Sequence, residues 1–148
     1  MVDAFHVVRL GNTVVDDARR RVQQQTLGHR GHKGDPLYGI RRLLLTGVER
    51  LSDRGHARLA AGLAAGDPDE EVWYAHITKE QLRAVYRAGD GDTARAALAD
   101  FYDVAAAADI PECTRLARTI RRWEQAVLAY HRSDGLSNAR TEAGERPG

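Results

Sequence analysis

The chain has 148 residues, of which 43% are hydrophobic and 29% charged, and its net charge is +1. That is globular composition with length for one domain and a real core, and it excludes a protein that is basic throughout. Cys113 is the sole cysteine, which excludes an internal disulfide and a cysteine-cluster zinc site.

No basic leader precedes a long apolar stretch, and no apolar run reaches the roughly 18 residues that span a bilayer. A soluble cytoplasmic protein with no membrane partner is therefore expected.

After Met1-Val2, the pattern from Phe5 to about Leu27 is helical. Val8, Val15, Ala18 and Val22 fall near one face, and Asp16, Asp17, Arg19 and Arg20 lie elsewhere. Residues 27–36 hold three glycines and a proline and read as a loop. Positions 19–42 carry seven cations, Arg19, Arg20, Arg21, Arg30, Lys33, Arg41 and Arg42, against Asp35 alone, a net +6.

A short helix is predicted from Leu37 to about Thr46. Ser52 caps the next, which carries Leu59, Ala60, Leu63 and Ala64 and ends at Gly66. Asp67-Pro68 then reads as the cap and first residue of a helix running to about Ala88, with a break allowed at Thr78. Asp92 is expected to cap another helix, and Pro111 to open a last one reaching His131. Along that last helix Leu116, Ile120, Trp123, Val127 and Tyr130 form the clearest amphipathic seam, opposite Arg115, Arg118, Arg121 and Arg122. Ser133 to Leu136 is a turn, and Ser137 or Asn138 can cap a helix carrying Glu142. The fold class is mainly α, a helical bundle.

Taken alone, most polar residues have ordinary readings. Asp3 before a helix is an N-cap, although a carboxylate there also suits a hard cation. Glu142 in a polar tail is a solvated acid. His29 and His32 stand three apart, a metal-ligand spacing, but in a glycine loop with no Cys or Glu beside them they read as part of a solvated basic loop. Cys113 at a helix start reads as a buried thiol. The cations of 19–42 are either phosphate contacts or a solvated face. Aromatic interleaving is not read in that stretch, so base stacking is not indicated.

The block Asp3-Ala4-Phe5-His6-Val7-Val8-Arg9-Leu10-Gly11-Asn12 resembles a signature of bacterial insertion-sequence transposases of the ISL3 type. So do Asp17-Ala18-Arg19-Arg20-Arg21, Gly31-His32-Lys33-Gly34-Asp35-Pro36-Leu37-Tyr38 and Arg41-Arg42-Leu43-Leu44-Leu45. Arg118-Thr119-Ile120 with Trp123, and Ser137-Asn138-Ala139-Arg140-Thr141-Glu142, continue the likeness in the same order.

The family has a DDE catalytic domain of ribonuclease-H-like fold. The resemblance implies that Asp3 is its second catalytic carboxylate and Glu142 its third, together holding magnesium or manganese. It makes the bundle the helical insert of that domain, with most of the β-sheet missing. Residues 1–142 are then a partial DDE domain and 143–148 a divergent, disordered tail. The implied chemistry is metal-dependent cleavage and transfer of DNA strands at transposon ends, with a homo-oligomer or a full-length transposase as further partner. The family's first catalytic Asp and its N-terminal zinc and helix-turn-helix portion have no counterpart in these residues. Inactivity of the chain alone is expected, with no metal necessarily bound. The alternative is a non-catalytic helical DNA-binding or protein-interaction module, and a third reading is a product without a stable fold.

Overall fold

The computed structural model describes residues 3–131, and no strand occurs among them. The first helix, α1, spans Ala4–Leu27. Asp3 caps it, its Oδ1 accepting the His6 amide at 2.7 Å. It closes at Gly28, whose φ of 79° lets its N–H reach the Gln24 carbonyl. Val7, Val14, Val15, Ala18 and Val22 make its buried stripe.

The single helix expected over 37–46 is two: α2 (Pro36–Gly39) and α3 (Arg41–Leu45). They part at Ile40, which turns into the core. A 3₁₀ turn, Val48–Arg50, leads to α4 (Asp53–Gly66), capped by Ser52 Oγ, which accepts the Gly55 amide at 3.0 Å.

The next helix, α5, spans Glu71–Arg87 and does not begin at Pro68. Glu70 takes a left-handed conformation (φ 58°), so the helix cannot extend back through it. Asp67 still serves as a cap from a distance, its carboxylate accepting the amides of Val72 (3.0 Å) and Trp73 (2.8 Å). No break occurs at Thr78, whose hydroxyl donates to the Tyr74 carbonyl within the helix. The next helix, α6 (Gly91–Ala108), is capped by Asp90 and not Asp92: Asp90 Oδ1 accepts the Thr93 amide at 2.7 Å. The last named helix, α7 (Pro111–Arg122), turns at Trp123, and helical residues resume over 124–131.

The long helices pack in a chain of contacts: α1 on α5, α5 on α6, and α7 against α6 and α1, with α2 lying on α4 at one side. The predicted seam is real, since Leu116, Ile120 and Val127 are all buried. Phe101, Leu82 and Val85 join them. Each such side chain stabilises the fold by about 1.5–3 kcal/mol over leaving it in water. Cys113 is buried, donates to Thr78 Oγ1 at 3.4 Å, and has its thiol pKa pushed up by burial. The segment 132–148, including Glu142, the expected cap at Ser137 or Asn138 and the expected tail, lies outside the described residues.

One fork fastens three helices. Arg21 of α1 donates Nε and Nη2 to the two oxygens of Glu112 on α7 at 2.8 and 2.9 Å, and its Nη1 lies 2.6 Å from Glu71 of α5. Burial alone would raise the Glu112 carboxyl; the Arg21 hydrogen bonds and charge overcome this and hold it below the usual range. The Glu112 side chain is only 5% exposed, so removing Arg21 strands a carboxylate. Arg21→Met is expected to cost about 2–3 kcal/mol, less than the roughly 3–5 kcal/mol of a fully buried pair because Arg21 itself reaches water. Urea melts should show much of that recovered in Arg21→Met/Glu112→Leu. A single variant as stable as the parent would refute the clamp.

His76 of α5 is 3% exposed, and its Nε2 has no hydrogen-bond partner among the described residues. Burial, reinforced by the Lys79 charge, pushes its pKa down to about 4. Above pH 6.5 the ring is neutral in both states and contributes no pH dependence. Below that the unfolded chain takes up a proton that the folded one refuses, so stability falls as pH drops toward about 4. The loss across that window is expected to be about 3 kcal/mol. Denaturation series at stepped pH should show the decline in the parent and its disappearance in His76→Leu; an unchanged slope in the variant would assign it elsewhere.

Candidate nucleic-acid interface

The cations of positions 19–42 are carried by the last turns of α1, the loop 28–35 and the short helix α3, which packs against α1. The fold sorts them into two kinds. Arg19 is 4% exposed, turned inward beside Asp16 Oδ1 (3.5 Å) and Gln23 Oε1 (3.5 Å), with its Nε unpartnered. Burial lowers its pKa. Arg21 is spent on the fork to Glu71 and Glu112. Arg41 donates to the Tyr38 carbonyl at 2.9 Å and stacks on the Tyr38 ring at 3.9 Å, a ring that Arg19 also approaches at 6.0 Å.

Arg20, Arg30, Lys33 and Arg42 are exposed, and none pairs with a carboxylate among the described residues. Arg20 and Arg30 line an open groove of about 510 Å³ with Asp17, Arg21, Gln24 and Gln25. Guanidinium and amide donors lining a groove of that size suit phosphate oxygens, and three arginines there outweigh the one carboxylate, Asp17.

Gln23 holds the loop to the helix. It is 1% exposed and donates its amide Nε2 to the Arg30 carbonyl. Gly31 beside it has φ 124°, and a Cβ there would run into the Gln23 side chain, so the turn needs glycine twice over. Sequence reading passed over both Gln23 and Tyr38. Tyr38 is an aromatic inside the basic stretch, but its ring is already covered by arginine. The only signal for it was its place two residues after Pro36 and three before Arg41.

A second basic face exists. Arg115, Arg118, Arg121 and Arg122 are exposed along the outside of α7, with Arg121 lying 4.3 Å over the Tyr102 ring. None of them forms an ion pair among the described residues.

Asp3 stands at the other end of α1, exposed, with one oxygen occupied as the helix cap. Its oxygens are the right donors for magnesium or manganese. Among the described residues, however, no group of three or more His, Cys, Asp or Glu side chains forms around it, and Glu142 is outside them. The described residues do not by themselves make the divalent-metal centre of DDE chemistry. No described helix is long and apolar enough to cross a membrane.

Comparison with curated proteins and with solved structures gave no match. The family model for the ISL3-type DDE domain, described as a transposase, matches residues 1–146. It therefore takes in Asp3, the basic end and the whole bundle, and the chain belongs to the ISL3-type DDE transposase family.

Proposed function

We propose that this chain works in DNA transposition, with Asp3 and Glu142 as two of the carboxylates of metal-dependent strand cleavage and transfer, and the basic end of the bundle lying along duplex DNA. Family membership supports a DNA substrate. What carries the pairing of Asp3 with Glu142 is the return of the chain toward its own start. The Asp3 charge is felt at the Tyr86 hydroxyl, which burial, then Tyr130 and Asp3, push up to about 12. The Tyr86 ring lies 5.1 Å from that of Tyr130 and 6.3 Å from that of His131, and His6 sits 5.6 Å from Trp123. The described residues thus close at His131, next to Tyr86, on the side of the bundle where His6 of the first turn of α1 meets Trp123.

The basic end has a different task. Twenty-four helical residues, at ~1.5 Å each, hold the loop about 36 Å from Asp3. That is close to one turn of B-DNA, about 34–36 Å. Arg20 stands nearer, ~26 Å from Asp3 along the helix, and in this reading Arg20, Arg30, Lys33 and Arg42 contact duplex flanking the scissile phosphate. Arg19, Arg21 and Arg41 act at the same surface by shaping it.

Replacing Arg20, Arg30, Lys33 and Arg42 together by Gln is expected to weaken duplex binding without regard to sequence. Each lost contact should flatten the plot of log K against log salt by about 0.9, so about 3–4 in all. A variant that binds DNA as the parent does would move the interface elsewhere, the α7 face being the next candidate. A parent that ignores DNA and self-associates independently of salt would favour the protein-interaction module.

The resemblance matches only two of the family's three carboxylates within these 148 residues. The purified chain alone is accordingly expected to leave transposon-end DNA uncut in magnesium or manganese, since the charge stabilisation of the reaction needs the full set. Glu142-dependent nicking on a sequencing gel would overturn that.

A further inference from the structure

We propose that the loop between α1 and α2 binds one divalent transition-metal ion, zinc above all, through His29, His32 and Asp35. The inference is independent of DNA contact and of the Asp3 and Glu142 pair.

In the sequence the two histidines have no Cys or Glu beside them, and Asp35 reads only as part of the loop. The fold supplies the third ligand. One ligand atom from each of His29, His32 and Asp35 lies within 4.8 Å of the other two. Backbone bonds fold the loop into that arrangement: the Asp35 amide donates to the His32 carbonyl at 3.0 Å, and the His32 amide donates to Asp35 Oδ2 at 2.7 Å. His29 Nδ1 accepts from the Gly31 amide at 3.1 Å and stands 3.6 Å from Asp35 Oδ2. An ion would take His29 Nδ1 in place of the Gly31 amide, together with the His32 ring and the Asp35 carboxylate. The two imidazoles stack at 3.9 Å with planes 5° apart, so their in-plane lone pairs run parallel and one ring must turn for both to meet an ion. A turn of the exposed His32 ring brings its nitrogen in line. The Gln23 anchor on Arg30 fixes the N-terminal half of the loop before any ion arrives.

The donor set decides the metal. Two imidazoles and a carboxylate with room for water make a three-ligand site with an open fourth position. Imidazole favours zinc, copper, nickel and cobalt, whereas magnesium and manganese prefer all-oxygen sets. The site would thus take a different ion from the one the family's carboxylates use. Arg30 and Lys33 flank it, but both are exposed and water screens their charge. A bound ion would lock the loop that carries those two cations.

The test uses the untagged 148-residue protein, stripped with chelator and titrated with Zn2+ by calorimetry and with Co2+ by visible absorption. The variants are His32→Gln and Asp35→Asn. Asparagine keeps an acceptor for the His32 amide, so the loop fold is retained while the anionic ligand is lost. Helical content by circular dichroism without metal checks both. The expected result is one ion per parent chain, tetrahedral-type cobalt absorption, and a melting temperature that rises with zinc. Each variant should bind roughly tenfold weaker or worse and lose the thermal shift. Excess magnesium should not displace the zinc. The proposal is overturned if the parent takes up neither ion, if both variants bind as tightly as the parent, or if only His32→Gln weakens, which would leave a histidine pair without Asp35.

Discussion

The fold turns on a lysine in its interior. Lys79 of α5 is 1% exposed, and its ammonium donates to the Leu44 carbonyl at 2.5 Å with Glu80 at 3.2 Å. Gly11 of α1 makes room for it, since a Cβ there would lie 3.0 Å from Lys79 Cγ. The packing of α1 on α5 is thus built around a charge. Burial pulls the Lys79 pKa down, and Glu80 works against that. The Leu44 carbonyl lies at the negative end of α3, which favours a cation there. From Glu80 the pairing runs on to Arg83 (2.7 Å) and from Arg83 to Glu49 (2.6 Å) in the 3₁₀ turn. One buried cation therefore fixes α3 and the turn after it against α5. Arg41, Arg42 and the loop before them are held where they are by that linkage.

Charge placement, more than hydrophobic pattern, decides what could be read from the sequence. α1 was legible from Phe5 to Leu27 because valines and alanines recur at helical spacing along it. Ser52 and the seam from Leu116 to Val127 were legible for the same local reasons. Arg21 was not: its partner Glu112 lies 91 residues away, and no periodicity relates them. Lys79 and His76 sit on the buried face of α5. A polar residue on such a face looks from the sequence like an irregularity in the stripe. The start of α5 was missed because Asp67 caps amides five and six residues ahead, with Glu70 held left-handed between them. Asp67-Pro68 has the look of a helix start, and only the tertiary turn shows that the helix waits for Glu71.

The basic stretch shows the same limit in the candidate site. Seven cations on one segment are equivalent to a reader of sequence. Packing makes them unequal: Arg19 and Arg41 gather at Tyr38, Arg21 clamps two neighbouring helices, and four others face water. Arg19 is buried, and Arg21 and Arg41, half-buried, already spend donors on partners within the fold, so these three have less to offer a phosphate than the outward four. Their contribution to any nucleic-acid contact is the rigidity of the surface beneath the outward four.

α1 also explains why the two ends of the molecule can be specialised. A helix is stiff over this length, so the cap carboxylate at Asp3 and the glycine loop after Leu27 keep a fixed separation. Had a flexible linker joined them, neither the spacing nor the direction of the cations relative to Asp3 would survive thermal motion. The apolar stripe of α1 is packed on α5 and α7 throughout, and the polar devices sit at its ends: the Arg21 fork and Gln23 near the loop, the aromatic group of His6, Trp123, Tyr86 and Tyr130 near Asp3. The bundle thus works as a strut, and a substitution in its middle that keeps volume and charge should leave both ends in register, whereas one that frees α1 from α5 disturbs both together.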